Sequence, residues 1–330
     1  MSVVVTFHNQ ASFVAPAIET VLGQGYPNLE TIVVDDGSTD DTRRRCMAFG
    51  DRVRLIARAN GGASAARNSG ITEARGEYVA HLDGDDLWHP DKIARQVEVA
   101  RRFPEAGMIV ANGHMFGEGM PTIPGLIWGD IGRRLAATSE PAILLEPYRA
   151  LIRRHCFNTP SQMMIPASVY RAVGAWDERI KMVADVELAL RIAARYPAAF
   201  MRGDLVGYRL LEGSLSGPYH SRQFAWALDT FGVMRKHARI APPTMRPALE
   251  ARMAGDANDF ARDAYYLGRR GRLAWALRYQ LRLLAASRRA HRVLPYLAAL
   301  LLPERLVSTV ARRFRGVRRP GDPGFTLETK

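Results

Sequence analysis

Two short acidic clusters, each closing an apolar run, hold the side chains of this chain most suited to chemistry. The first lies in Leu29-Glu-Thr-Ile-Val-Val-Asp35-Asp36-Gly37-Ser38-Thr39-Asp40, the second in Tyr78-Val-Ala-His-Leu-Asp83-Gly84-Asp85-Asp86. Each has the pattern of a buried strand that stops at a turn. Their carboxylates then stand at strand C-termini, where open α/β sheets place ligands. Acids gathered at one sheet edge repel one another unless a cation or several donors sit among them. A divalent metal carrying a nucleoside diphosphate meets that requirement. Asp83 and Asp85 are the expected ligands of Mn2+ or Mg2+, ions that take oxygen ligands, usually one or two carboxylates plus substrate phosphates. Gly84 is expected to let the backbone turn tightly and to keep bulk away from the diphosphate. Asp35 and Asp36 are candidates for the nucleotide: one carboxylate on a nucleobase imide or ribose hydroxyl, with Asp36 or Ser38 ending the strand. The plainer reading of both clusters is a solvated turn, the first with Ser38 or Thr39 capping a helix.

Neither GxGxxG after the first strand nor GxxxxGK[ST] occurs anywhere in the chain, which argues against a dinucleotide-dependent dehydrogenase and a P-loop NTPase. A diphosphate must then be held by metal and by side chains such as Arg67. That residue lies in Asn60-Gly-Gly-Ala-Ser-Ala-Ala-Arg67-Asn68-Ser-Gly70, a helix opening after a glycine pair. Its bland alternative is a helix-surface cation paired with Glu73 or an acidic loop.

The elements that must position these residues follow from periodicity. Strands are expected at 2–6, 30–35, 53–57, 78–82 and 108–112, and helices at 11–23, 39–48, 63–74 and 91–103, with Asp91 helping to open the last. This alternation predicts an α/β fold, a mostly parallel sheet with helices on both faces. Residues 113–160, rich in Gly and Pro, read as a loop-rich insertion near the site. A strand at 162–165, helices at 168–173 and 185–195, and a strand at 199–208 close the domain. The expected division is a catalytic domain over 1–215 and a basic, mainly helical region over 216–330.

The chain has 330 residues, 47% apolar and 24% charged, a globular composition. Its two cysteines, Cys46 and Cys156, lie far apart and outside any metal-binding spacing, so neither a disulfide framework nor a zinc site is expected. Ser2–Thr6 is too short for the apolar core of a leader and has no basic start, so none is expected. The net charge of +13 is uneven: residues 261–330 carry 16 basic and 4 acidic side chains. The longest apolar run there is about ten residues against the roughly 20 a span needs. Basic amphipathic helices suit an anionic membrane surface, so the expected location is cytoplasmic and peripheral on the inner face of the cell membrane. The competing reading is a helical cap with solvated arginines. No nucleic-acid reader motif is present, and nucleic acid is not an expected partner.

Four segments bring a family resemblance: Val3-Val-Val-Thr-Phe-His-Asn9, Asp35-Asp-Gly-Ser-Thr-Asp40, Gly62-Ala-Ser-Ala-Ala-Arg-Asn-Ser-Gly70 and Asp83-Gly-Asp-Asp-Leu-Trp-His-Pro90. In order and spacing they resemble family 2 glycosyltransferases, bacterial enzymes of polysaccharide or glycolipid assembly, over roughly residues 1–210. The resemblance implies the GT-A fold and metal-dependent, inverting transfer of a sugar, here expected from a UDP-hexose with GDP- and dTDP-sugars left open, to a hydroxyl of a glycan or lipid-linked acceptor. It implies that Thr6 and His8 flank the nucleobase. It also implies that Asp185, in Ala184-Asp185-Val-Glu187-Leu-Ala-Leu-Arg191, is the catalytic base. The family usually has Glu where this chain has Ala184, and Tyr where it has His8. The alternatives are a nucleotidyltransferase, which normally carries a Gly- and Lys/Arg-rich loop after its first strand, and a non-catalytic nucleotide-sugar-binding scaffold at the membrane.

Overall fold

The structure is a computed structural model that describes the backbone of residues 1–211 and 219–253, with side chains over 1–211 and 229–253. Met1–Arg252 forms one compact unit. The expected tail helices beyond residue 253, and with them the basic amphipathic stretches, lie outside the described residues.

The chain begins with the run Ser2-Val-Val-Val-Thr-Phe7, which forms β1 (Ser2–Phe7). It continues α1 (Val14–Leu22), β2 (Glu30–Asp36), α2 (Thr42–Met47), β3 (Arg54–Arg58), α3 (Ala63–Glu73), β4 (Tyr78–Asp83), β5 (Leu87–Trp88), α4 (Lys92–Arg102) and β6 (Met108–Gly117). Then come β7 (Met120–Pro124), α5 (Gly129–Ala136), β8 (Ala142–Leu145), α6 (Tyr148–Arg153), β9 (Met163–Pro166), α7 (Ala167–Val173), α8 (Ala184–Ala193), β10 (Ala198–Arg209) and α9 (Tyr219–Ile240). Ten strands make one sheet, ordered β3-β2-β1-β4-β9-β6-β10-β5, with β7 beside β6 and β8 beside β10. β1, β2, β3, β4, β6 and β10 run in one direction, and β5, β7, β8 and β9 run against them. The sheet is therefore mostly parallel, as its sequence of alternating strands and helices requires.

β1 is buried on both sides, which explains its unbroken apolar run. Side chains alternate across a strand. Val3, Val5 and Phe7 thus join Val14, Ile18, Cys46, Ile93 and Val97 of α1, α2 and α4 in one core layer. Val4 points to the other face, where α3 comes so close that a Cβ on Gly70 would lie 2.3 Å from a Val4 methyl. Helices thus cover both faces at the strands that end in acids.

Residues 113–160 depart from expectation. They are not a loose insertion. The β6 strand runs on to Gly117 and folds back as β7, and α5, β8 and α6 follow. Leu126, Ile131, Leu135, Leu151, Ile152 and Phe157 are buried there. Glycines and prolines mark its turns, and the elements between them are too short to display a period. The expected helix at 39–48 shortens to Thr42–Met47, because Asp40 turns back to accept N–H bonds from Thr42 (2.9 Å) and Ala11 (3.2 Å). Asp91 stands at the N-cap of α4 without a capping side-chain bond.

Candidate active site

Register alone assembles the acids. Thr6 pairs with Val34 and Phe7 with Asp35 on one side of β1, while Thr6 pairs with Asp83 on the other. The C-terminal ends of β2, β1 and β4 therefore carry Asp35, Asp36, Thr6, His8 and Asp83 along one edge. Arg67 of α3 completes the group from above the sheet.

Within it, the two acids of the first cluster are buried and hydrogen-bonded. Asp35 is 1% exposed and accepts the Ser38 N–H at 3.1 Å. Asp36 accepts from Arg58 and from the backbone N–H groups of Gly61 (3.1 Å) and Gly62 (2.7 Å). Gly62 has φ +90°, a left-handed conformation that suits glycine, and it is the residue before α3. Asp36 thus ends its strand and sets the start of the helix that bears Arg67. His8 is exposed at the edge, its Nδ1 2.9 Å from the Asp36 carbonyl. Asn9 has φ +52° and ties the two loops together. Its Oδ1 accepts from the Thr39 N–H (2.8 Å) and its own N–H donates to Ser38 Oγ (3.0 Å).

The second cluster is held by residues that motif reading did not single out. Ser161 Oγ donates to Asp86 (2.6 Å), as does Thr159 Oγ1 (2.9 Å), and the Arg209 N–H donates to the other Asp86 oxygen (2.9 Å). The Asp83 N–H donates to Ser161 Oγ at 3.0 Å. Trp88 Nε1 donates to the Ser161 carbonyl at 2.9 Å, which fixes the aromatic residue behind the acids. The one available signal was Thr159-Pro-Ser-Gln162, which forms a capping box over residues 160–162. Arg209 lies 5.0 Å from the Phe13 ring and 4.4 Å from that of Phe116, and its Nε donates to the Asp85 carbonyl (2.8 Å).

Arg67 is 7% exposed and is ion-paired with Asp83. Its guanidinium also lies 4.8 Å from the Trp176 ring. The alternative partner Glu73 instead pairs with Arg54. Gly84 has a packing role as well. The space a Cβ would need is filled by the Phe7 ring (2.3 Å) and Gln10 Oε1 (2.7 Å), so its small size serves packing of the β4 turn onto β1.

The acids test whether a divalent cation suits this edge. Burial, then the neighbouring Asp83, push the Asp85 carboxyl up to about 6, although Gln10 hydrogen-bonds it. Asp86, wholly buried, is pushed well above the usual carboxylate range by desolvation, then by Asp85 and Asp83. Burial first, and repulsion between the acids second, thus disfavour their ionised forms here, and a cation relieves both. No group of three or more His, Cys, Asp or Glu side chains forms a cage among the described residues. Two carboxylates completed by phosphate oxygens is the pattern that Mg2+ and similar ions accept, so Asp83 and Asp85 fit it.

Asp185 stands in the first turn of α8, 9% exposed, with Oδ2 3.4 Å from His155 Nε2. Glu187, two residues on, is 0% exposed, and its oxygens take Arg191 Nε (2.8 Å) and Lys236 Nζ (2.5 Å). The segment between α6 and residue 160 joins this region to the acids, since it carries His155 near one end and Thr159 at the other. Among the described residues no helix is long and apolar enough to cross a membrane.

The family model described as Glycosyl transferase family 2 matches residues 2–167. An uncharacterised glycosyltransferase of Rickettsia typhi is 29% identical over 199 residues, 59% of this chain and 60% of that protein. TuaG of Bacillus subtilis, provisionally named for teichuronic acid biosynthesis, is 37% identical over 102 residues, 30% of this chain and 40% of its own. The chain thus spans less than two thirds of the length of these curated relatives. Among solved structures, S. aureus TarS 1–349 with UDP-GlcNAc has a TM-score of 0.66 at 18% identity, covering 94% of this chain and 91% of that one. The mannosyltransferase PcManGT of Pyrobaculum calidifontis with GDP-Man and Mn2+ has a TM-score of 0.51 at 20% identity, covering 96% and 87%. Both likenesses are of fold.

Proposed function

The chain belongs to glycosyl transferase family 2, and from that premise we propose that it is a glycosyltransferase that moves a hexose from a UDP-sugar to an acceptor hydroxyl with inversion. The observation that carries this reading is the convergence of Asp35, Asp36, Asp83 and Asp85 on one sheet edge. UDP-GlcNAc bound to TarS supports a UDP donor, and the name of TuaG supports an acceptor on a growing polysaccharide. A lipid-linked acceptor would agree with the +12 net charge of residues 261–330, which also favours a peripheral place on an anionic membrane.

In this reading Thr6, His8 and Asp35 line the nucleobase and ribose. Asp36 acts indirectly, through the start of α3. Arg67 lies where it can share its charge between Asp83 and the diphosphate. A divalent cation held by Asp83 and Asp85, Mn2+ or Mg2+, would supply positive charge against the departing diphosphate. Asp185 takes the acceptor proton as the acceptor oxygen bonds to the anomeric carbon. The bond from that carbon to the phosphate oxygen breaks, and its electron pair leaves with UDP. Attack on the face opposite the leaving group inverts the anomeric centre. Glu187 is excluded from this role by its two cationic partners.

Calorimetry of UDP binding tests the proposal. Wild-type protein is expected to bind UDP more tightly with Mn2+ than without. Asp85→Ala is expected to lose that difference and all transfer while melting cooperatively. Equal UDP affinity with and without Mn2+ in the wild type would overturn the metal assignment.

A further inference from the structure

We propose that His155 is the proton outlet of Asp185, a positioning and relay residue that holds the base and carries its proton to solvent. The inference rests on the assignment of Asp185 as base and extends it. His155 Nε2 lies 3.4 Å from Asp185 Oδ2, close enough for an ion pair but without hydrogen-bond alignment. That nitrogen is buried and has no hydrogen-bond partner. A buried polar atom without a partner is destabilising, so a state in which it is satisfied is favoured. Asp185 is the polar group placed to satisfy it, and hydrogen bonds of this kind are often long until the reacting complex forms.

The two side chains differ in their access to water. That of Asp185 is 11% exposed and that of His155 is 22% exposed. A proton taken up by Asp185 therefore finds its more open neighbour in the imidazole. The residue before Asp185 is Ala184, which offers no proton-carrying group. The imidazole is also held in place. Its ring meets Phe157 edge to face at 5.6 Å, and its segment is anchored at Thr159, whose hydroxyl bonds Asp86 and Asp83. Imidazole is suited to the task because its two nitrogens can receive and release protons at different faces.

The step balances without further reagents. The acceptor O–H proton passes to Asp185 as the new C–O bond forms and UDP departs with the electron pair. The proton then moves from Asp185 Oδ2 to His155 Nε2, the imidazolium loses its Nδ1 proton to water, and exchange with solvent returns the ring to the tautomer with Nε2 free. Asp185 is left ionised for the next turnover.

The test uses full-length protein with Mn2+. UDP release is followed from UDP-GlcNAc, or from whichever UDP-hexose the wild type turns over fastest, with water or the best available alcohol as acceptor. His155→Ala and His155→Gln are compared with wild type, and UDP affinity and melting are checked for each. Both are expected to lose about 10-fold in kcat with the donor KM unchanged, less than the ~100-fold loss expected on removing a base. Added imidazole is expected to restore part of the loss in His155→Ala. Wild-type turnover in either variant, or a loss that imidazole does not restore, would overturn the relay. Asp185→Asn is run alongside: if it keeps near-normal turnover, the assignment of the base fails instead, independently of what the His155 variants do.

Discussion

Asp185 and Glu187 stand two residues apart on α8, about 200° around the helix, so only one can face the acceptor. The sequence left that choice to family resemblance. In the structure Arg191 and Lys236 enclose the Glu187 carboxylate, while among the described residues the ion-pair partner of Asp185 is His155. Asp185→Asn is expected to bind UDP and Mn2+ like wild type but to turn over at least ~100-fold more slowly. Glu187→Gln is expected to keep its chemistry and lose stability, by about 1–3 kcal/mol for a broken, partly screened pair. Melting curves and steady-state kinetics of the two variants separate these outcomes, and a dead Glu187→Gln beside an active Asp185→Asn reverses the roles. Gly84→Ala makes a different point. Its Cβ would collide with Phe7 and Gln10, at a cost of roughly 1–3 kcal/mol, and displacing Gln10 releases Asp85. Thermal melting should show the first effect and weakened metal-dependent UDP binding the second. At this scale the acids, Thr6 and Arg67 were legible as strand-end and helix-start residues. Thr159, Ser161, Trp176 and Arg209 were not, because they come from segments more than 70 residues away from the acids they serve and share no spacing with them.

Among elements, α9 and α8 form a coupled pair. Lys236 of α9 reaches both Glu187 and Asp177, and Asp229 accepts the backbone N–H groups of Lys181 and Met182 at 2.8 Å, in the loop that leads to Asp185. Arg191 donates to the carbonyls of Val173, Gly174 and Ala175, while Asn68 of α3 holds both backbone groups of Trp176. That turn carries the ring against Arg67, so α8, α9 and α3 are fixed to one another around the site. His237 of α9 is wholly buried, with Nδ1 3.1 Å from the Tyr148 hydroxyl of α6. Desolvation lowers its pKa from 6.5 to about 4, against an opposing pull from Glu187. The unfolded chain therefore takes up a proton as pH falls through 6.5 while the folded chain does not until about 4. Stability present above pH 6.5 is lost over that window, on the order of 3 kcal/mol. Buried His81 shifts in the same direction. His237→Gln should accordingly show a shallower decline of melting temperature between pH 7 and pH 4.5 than wild type, and an unchanged slope would contradict the burial of a neutral imidazole. The parallel half of the sheet was readable because long apolar runs alternate with amphipathic helices. The stretch from 113 to 160 was not, since its strands and helices are too brief for periodicity and the partner of β8, β10, is distant in sequence.

Across the whole molecule, a GT-A domain places its acids by register alone, and its charge is segregated toward residues 261–330. If that segment contacts membrane, full-length protein should float with anionic vesicles at low salt and release as salt rises, since each Lys or Arg near such a surface contributes about 1 kcal/mol and is screened. Deletion of residues 261–330 should abolish flotation, and full-length protein that never floats would favour a helical cap and weaken the case for a lipid-linked acceptor. The central claim is that the acidic edge and Asp185 together transfer a sugar from UDP. Its most direct measurement is the rate of UDP release from a panel of UDP-hexoses by the full-length chain, with Mn2+ and after chelation, for wild type and Asp185→Asn. The account predicts one donor turned over well above the others, release abolished by chelation, and at least ~100-fold slower release by the variant. Release that continues undiminished after chelation, or at the same rate in Asp185→Asn, would contradict it.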